Sequence, residues 1–145
     1  LSSRQGSRES QAPRVRAAPR TAASIEARTL ALAIASAGLD KRATEIEIID
    51  VRDKVDYAEL LVLMSGRSDR QVHAIARGIE EELGRRHGVT PLSVEGLGAS
   101  RWVLIDYNDV VVHVFLEDVR CFYDLEGLWI DASRVSASDA FLHKP

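Results

Sequence analysis

The chain has 145 residues, 46% of them hydrophobic and 28% charged, with a formal charge of −3 and a single cysteine. That is one domain's worth of chain with ordinary globular composition. No apolar run approaches the roughly 18 residues of a membrane-spanning helix, and the lone Cys121 excludes an internal disulfide framework and suits a reducing compartment.

Residues 1–23 contain five Arg, one Glu and no Lys, with Ser, Ala and Pro filling most of the rest. Such a stretch buries too little apolar area to offset its ordering entropy, so it reads as a flexible tail. Its Arg- and Ser-rich, acid-poor composition also suits an organelle transit peptide, although it lacks an amphipathic stripe. A start at Leu1 points to a fragment or a processed form. Without residues 1–23, 14 Lys and Arg face 21 Asp and Glu, a formal charge of −7. An acidic domain is poorly suited to gripping phosphate backbones. It is better matched to a basic protein surface.

Ser24 is the expected N-cap of a first helix, with Glu26 in its first turn. Ile25, Leu30, Ala33, Ile34 and Ala37 recur at roughly helical spacing, and Gly38 is the expected stop. Residues 45–51 alternate at first and are rich in β-branched side chains, which predicts a half-buried strand. Residues 60–64 are apolar throughout, as in a strand covered on both faces. Ser68 and Gln71 form a capping box. The stripe Val72, Ile75, Ala76, Ile79 and Leu83 then predicts a helix to about residue 85 that stops before Gly88.

A short strand is expected over 91–94, a loop over 95–101, and then a hairpin whose arms are 102–106 and 110–116. Glu117 and Asp118 suit the start of a last helix, with Val119, Phe122, Tyr123, Glu126 and Trp129 along one side of this short amphipathic helix. Past Ser133 a loose tail is expected. The order α-β-β-α-β-β-β-α predicts an α/β domain over 24–134, with helices on a mixed five-stranded sheet. The flexible ends are 1–23 and 135–145.

The chemistry-bearing groups are sparse. Ser65-Gly66-x-Ser68 precedes a helix N-terminus, a place that favours anions. A nucleotide-transfer enzyme would add two carboxylates at i and i+2 on a nearby strand to hold metal ions, and no such pair follows. Gly96-x-Gly98 lacks the third glycine of a dinucleotide fingerprint. None of His73, His87, His113 and His143 has a partner at metal-ligand spacing. His113, which alternates with Val111 and Phe115, reads as structural. Cys121, inside an apolar helical pattern, reads as a structural thiol.

Trp102, Leu104 and Asp106 share one face of their strand, and Val103, Ile105 and Tyr107 share the other. Trp102 suits either core packing or an exposed anchor. Asp106 and Asp109 suit either an Asx-type turn or an acidic rim beside Trp102.

Several ordered motifs resemble the Iojap or ribosomal silencing factor family. They are Asp56-Tyr57, the run 61–72 (LVLMSGRSDRQV), Val94-Glu95-Gly96, the hairpin 102–115 and Phe122-Tyr123-Asp124-Leu125-Glu126 with Leu128-Trp129. The resemblance covers about 24–134. It implies a nucleotidyltransferase-like fold without transferase activity, and no cofactor. It also implies binding to the fourteenth protein of the large ribosomal subunit, which blocks subunit joining and represses translation under nutrient limitation. Carried over position by position, the ribosome-facing residues are Glu95, Trp102, Val103, Asp106, Tyr107 and Asp109.

Two departures stand out. Asn108 replaces a usual glycine but tolerates positive φ. Gly127 replaces a usual charged residue and should weaken the last helix by about 1 kcal/mol. A nucleotide-binding or nucleotidyltransferase enzyme using the Ser65–Gln71 turn is one alternative, and a large-subunit assembly factor is another. A homodimer of the free protein is also expected from apolar strand surface. The expected compartment is the cytoplasm, or a mitochondrion or plastid if residues 1–23 are a transit peptide.

Overall fold

A computed structural model describes residues 23–136. The elements in chain order are α1 (Ile25–Asp40), β1 (Thr44–Asp50), β2 (Leu60–Gly66), α2 (Asp69–His87) and β3 (Ser93–Glu95). They continue with β4 (Trp102–Asp106), β5 (Val110–Leu116), α3 (Glu117–Tyr123), α4 (Leu125–Leu128) and β6 (Arg134–Val135). The sheet therefore has six strands, not the expected five, in the order β3-β4-β5-β2-β1-β6.

β2 and β5 pair in parallel, from Leu60 opposite Val110 to Gly66 opposite Leu116. All other neighbours are antiparallel. Every residue of β2 is buried, which fits its unbroken apolar run and its place between two strands under cover on both faces. Helices α1 and α2 lie on one face, where Ile34, Ile75 and Ile79 meet Val62, Met64, Val112 and Val114. A smaller apolar layer on the other face joins Ile49, Leu61, Leu63 and Phe115 to Val119 and the partly buried Trp102 and Trp129.

Ser24 caps α1 as expected, its hydroxyl accepting from the Ala27 N–H at 3.1 Å. Gly38 does not stop the helix. It is buried in the last turn, where a Cβ would lie 2.5 Å from Met64 Sδ, so the absent side chain lets α1 close onto β2. The buried stripe is mainly alanine (Ala27, Ala31, Ala35), while Ile25 is exposed. α2 matches its expectation and ends at Gly88 with φ +63°, a left-handed conformation that glycine adopts at little cost. The Ser68 hydroxyl accepts from the Gln71 backbone N–H, but the Gln71 side-chain Oε1 accepts from the Arg67 backbone N–H rather than from that of Ser68.

Past Ser133, where a loose tail was expected, the sixth strand sets Arg134 and Val135 opposite Ile49 and Ile48. Arg134 secures it by donating to Glu47 and to the Trp129 and Ala132 carbonyls. Two residues are too few to carry a period, which is why composition alone reads as tail. The expected flexible ends otherwise lie outside the described residues, except that Ala23 is buried.

The expected single last helix is two. Asp124 takes φ +46° between α3 and α4, so the stripe from Val119 to Trp129 is never on one cylinder. Val119 is the stripe's buried member, with Arg120 buried beside it, whereas Phe122 and Tyr123 are exposed. Arg120 ties the segment to the sheet, donating to the Ser65 hydroxyl (2.8 Å), the Glu45 carbonyl (2.7 Å) and Glu126 (2.8 Å).

Candidate docking face

Helices α1 and α2 cover one face of the β4–β5 hairpin, and the other face is partly open. Alternation places Val103, Ile105 and Tyr107 toward the helices and Trp102 and Leu104 toward the open side. The register aligns Glu95 with Leu104 and His113 in one row, and Trp102 with Phe115 in the next. At the far end Asn108 takes φ +81°, and its N–H donates to Asp106 Oδ1 at 2.8 Å. Of the two readings of Asp106, the Asx turn is therefore observed. The Asp109 carbonyl is clamped by the N–H groups of Glu59 and Leu60, and its side chain is exposed.

An aromatic group occupies the other end. Trp102 lies with its ring centroid 5.0 Å from Phe115 and 5.0 Å from Tyr123, and Phe122 meets Tyr123 edge-on at 5.0 Å. Phe122 is 80% exposed and Tyr123 55%. The Trp102 indole N–H donates to His113 Nδ1 at 3.0 Å, so the neutral imidazole accepts there and carries its proton on Nε2. Burial pushes the His113 pKa down to about 4. His113 thus lies in an apolar setting as a neutral hydrogen-bond acceptor, consistent with its structural reading.

The six residues carried over by resemblance do not form one exposed surface. Glu95 and Asp109 are exposed and Trp102 is half-buried. Val103 is 0%, Asp106 1% and Tyr107 7% exposed. Val103 and Tyr107 face the helices, where burial and the charge of Glu80 push the Tyr107 hydroxyl pKa up. The expectation that these two side chains look outward is corrected. The strand period already assigned them to the face opposite Trp102. Phe122 and Tyr123, expected along one side of a single amphipathic helix, are surface aromatics. The signal for their exposure was weak, because their helix is only seven residues long.

The other candidate, the Ser65–Gln71 turn, is internally committed. Ser65 is fully buried and accepts from Arg120, and Gln71 bonds to Arg67 and to the Arg42 carbonyl. Among the described residues, no group of three or more His, Cys, Asp and Glu is placed to hold a metal ion. Cys121, expected within the apolar side of its helix, is exposed. No helix among the described residues is long and apolar enough to cross a membrane.

Residues 24–144 match the family model described as "Ribosomal silencing factor during starvation". The chain is 44% identical over 102 residues to the Bacillus subtilis ribosomal silencing factor RsfS, covering 70% of this chain and 86% of that one. It is 32% identical over 106 residues to an Iojap-related mitochondrial protein of Arabidopsis thaliana, covering 69% of this chain and 56% of the relative. A crystal structure of a Chromobacterium violaceum protein superposes with a TM-score of 0.70 at 32% identity, covering 77% of this chain and 92% of the other.

Proposed function

Because the chain belongs to the ribosomal silencing factor family, we propose that it docks on the large ribosomal subunit and represses translation by sterically blocking subunit joining. The contact is with the subunit's fourteenth protein. The observation that carries this reading is the open aromatic face, in which the Trp102 ring lies tilted between buried Phe115 and exposed Tyr123. Large aromatics with little rotamer freedom to lose are the side chains that anchor protein interfaces. Glu95 sits in the adjacent row and Asp109 at the hairpin turn, which suits a basic protein partner.

The protein acts by occupancy, as no step of chemistry is assigned to any residue, and no cofactor is required. Its fold is of nucleotidyltransferase type, with the helix-capping turn at Ser65–Gln71 kept for structure. It works in the cytoplasm, or in an organelle, as the names of the plant relatives suggest. When free, it pairs through the same apolar face as a homodimer.

Co-sedimentation with purified large subunits tests the reading. Wild type should pellet with large subunits and reduce their joining to small subunits. Trp102→Ala, and separately Phe122→Ser with Tyr123→Ser, should remain folded by circular dichroism and stay in the supernatant. Folded variants that pellet as wild type does would remove this face from the mechanism.

A further inference from the structure

The domain is acidic overall, yet its cations are not evenly spent. Among the described residues, Arg52, Lys54, Arg77, Arg85, Arg86, Arg120 and Arg134 each lie in an ion pair. Arg28, Lys41, Arg42, Arg67, Arg70 and Arg101 lie in none of these pairs, and all six are exposed.

Arg28 stands apart in the first turn of α1, and the backbone positions of the other five lie toward one end of the sheet. Gln71 Nε2 donates to the Arg42 carbonyl at 3.1 Å, which fixes the Lys41–Arg42 turn against the start of α2. The Lys41 stem lies across Gly78 on the same helix. Arg67 and Arg70 flank the cap of α2, directly after β2. Gly66 pairs with Leu116, and the Leu116 N–H donates to the Arg101 carbonyl at 2.8 Å. His73 Nδ1 lies 3.3 Å from Ser100 Oγ, which holds the Arg101 loop against α2.

The carboxylates nearby do not cancel this array by direct pairing. Asp69 sits in the first turn of α2, and Glu117 and Asp118 in the first turn of α3, where helix N-termini stabilise them. Glu45, the second residue of β1, is exposed. The end in question is the carboxyl end of the parallel β2–β5 pair, where open α/β sheets present ligand-binding groups.

We propose that this end of the sheet binds the phosphate backbone of ribosomal RNA, with Arg67, Arg70 and Arg101 as the principal contacts and Lys41 and Arg42 at the margin. The assignment rests on the large-subunit docking proposed above and names a second component of that target. Arg101 precedes Trp102 in the chain, so the basic end continues directly into the aromatic face. A protein partner on the aromatic face and RNA at the basic end would together fix one orientation, with phosphate contacts positioning rather than reading sequence. The acidity of the rest of the domain would disfavour stray RNA binding and confine it to this edge.

The test uses the full chain and purified large subunits across a series of KCl concentrations, with hydroxyl-radical footprinting of the ribosomal RNA. Each neutralised phosphate contributes roughly 0.7–0.9 to the slope of log K against log salt. Arg67→Gln with Arg70→Gln and Arg101→Gln should make that slope shallower by about 2 and erase a discrete RNA protection. Lysine at the same three positions should restore both. An unchanged slope and footprint in the glutamine variant would overturn the RNA assignment while leaving the docking intact. A shallower slope with an unchanged footprint would move these contacts to an acidic protein and equally overturn it. Wild type that fails to bind the subunit at any salt would overturn both proposals.

Discussion

Across the β4–β5 pair, the indole N–H of Trp102 donates to Nδ1 of His113 at 3.0 Å, and the bond exists only while that nitrogen is unprotonated. Burial lowers the His113 pKa from 6.5 to about 4. The folded state therefore binds fewer protons than the unfolded chain between those values. Stability from this site is full above pH 6.5 and falls as the pH drops toward 4, by about 3 kcal/mol at most. Urea titrations of wild type and His113→Gln from pH 7.5 to 4 should differ in slope within that window, wild type losing stability that the variant does not lose. Parallel curves would show that His113 does not set the slope. The ion-paired Asp50 and Glu126, whose pKa values are lowered, begin to lose their contributions as the pH falls through the ordinary carboxylate range, in wild type and variant alike.

Gly96 ends β3 with φ +92°, and a Cβ there would collide with the Trp102 carbonyl oxygen. Both the backbone conformation and the space demand glycine. Gly96→Ala should cost about 3 kcal/mol in chemical denaturation, combining left-handed strain with a displaced backbone. Gly98→Ala, where nothing lies within 4 Å of the added Cβ, is the control and should change stability by less than about 0.5 kcal/mol. Similar costs at both sites would refute the geometric argument.

Arg120 is 4% exposed and joins three elements through Ser65, Glu45 and Glu126. Arg120→Ala strands the Glu126 carboxylate and empties a buried volume, and it should cost about 3–5 kcal/mol. Arg120→Lys keeps the charge but offers one point where the planar fork reaches three acceptors, so it should recover only part of that loss. Denaturation midpoints order the three proteins. A lysine variant as stable as wild type would mean that charge alone matters here.

Local rules made much of this fold legible. Ser24 and Ser68 declared themselves as caps because a hydroxyl answering a nearby N–H is a short-range event. The unbroken apolar run of β2 declared a central strand. What was lost depended on distant contacts. Gly38 reads as a stop by local chemistry, but Met64 makes it an interior residue. The break at Asp124 needs a left-handed aspartate that no period announces, and it divides the expected single helix, leaving Phe122 and Tyr123 exposed. Of the candidate site, Trp102 and Glu95 were legible by position. Val103 and Tyr107 followed a motif match against the strand alternation that separates them from Trp102.

Phe122 and Tyr123 test the difference between a surface patch and a core. At 80% and 55% exposed, their replacement by serine removes little area that folding had buried. Phe122→Ser with Tyr123→Ser should shift stability by under about 1 kcal/mol. Trp102→Ala exposes Phe115 and leaves His113 without its donor, so it should cost about 2–4 kcal/mol. Binding to large subunits should fall at least tenfold in both cases, about 1.4 kcal/mol or more. The double variant is the cleaner probe, since its binding loss cannot be ascribed to lost fold. If it binds as wild type does, the exposed aromatics belong to some other contact and Trp102 serves the core alone.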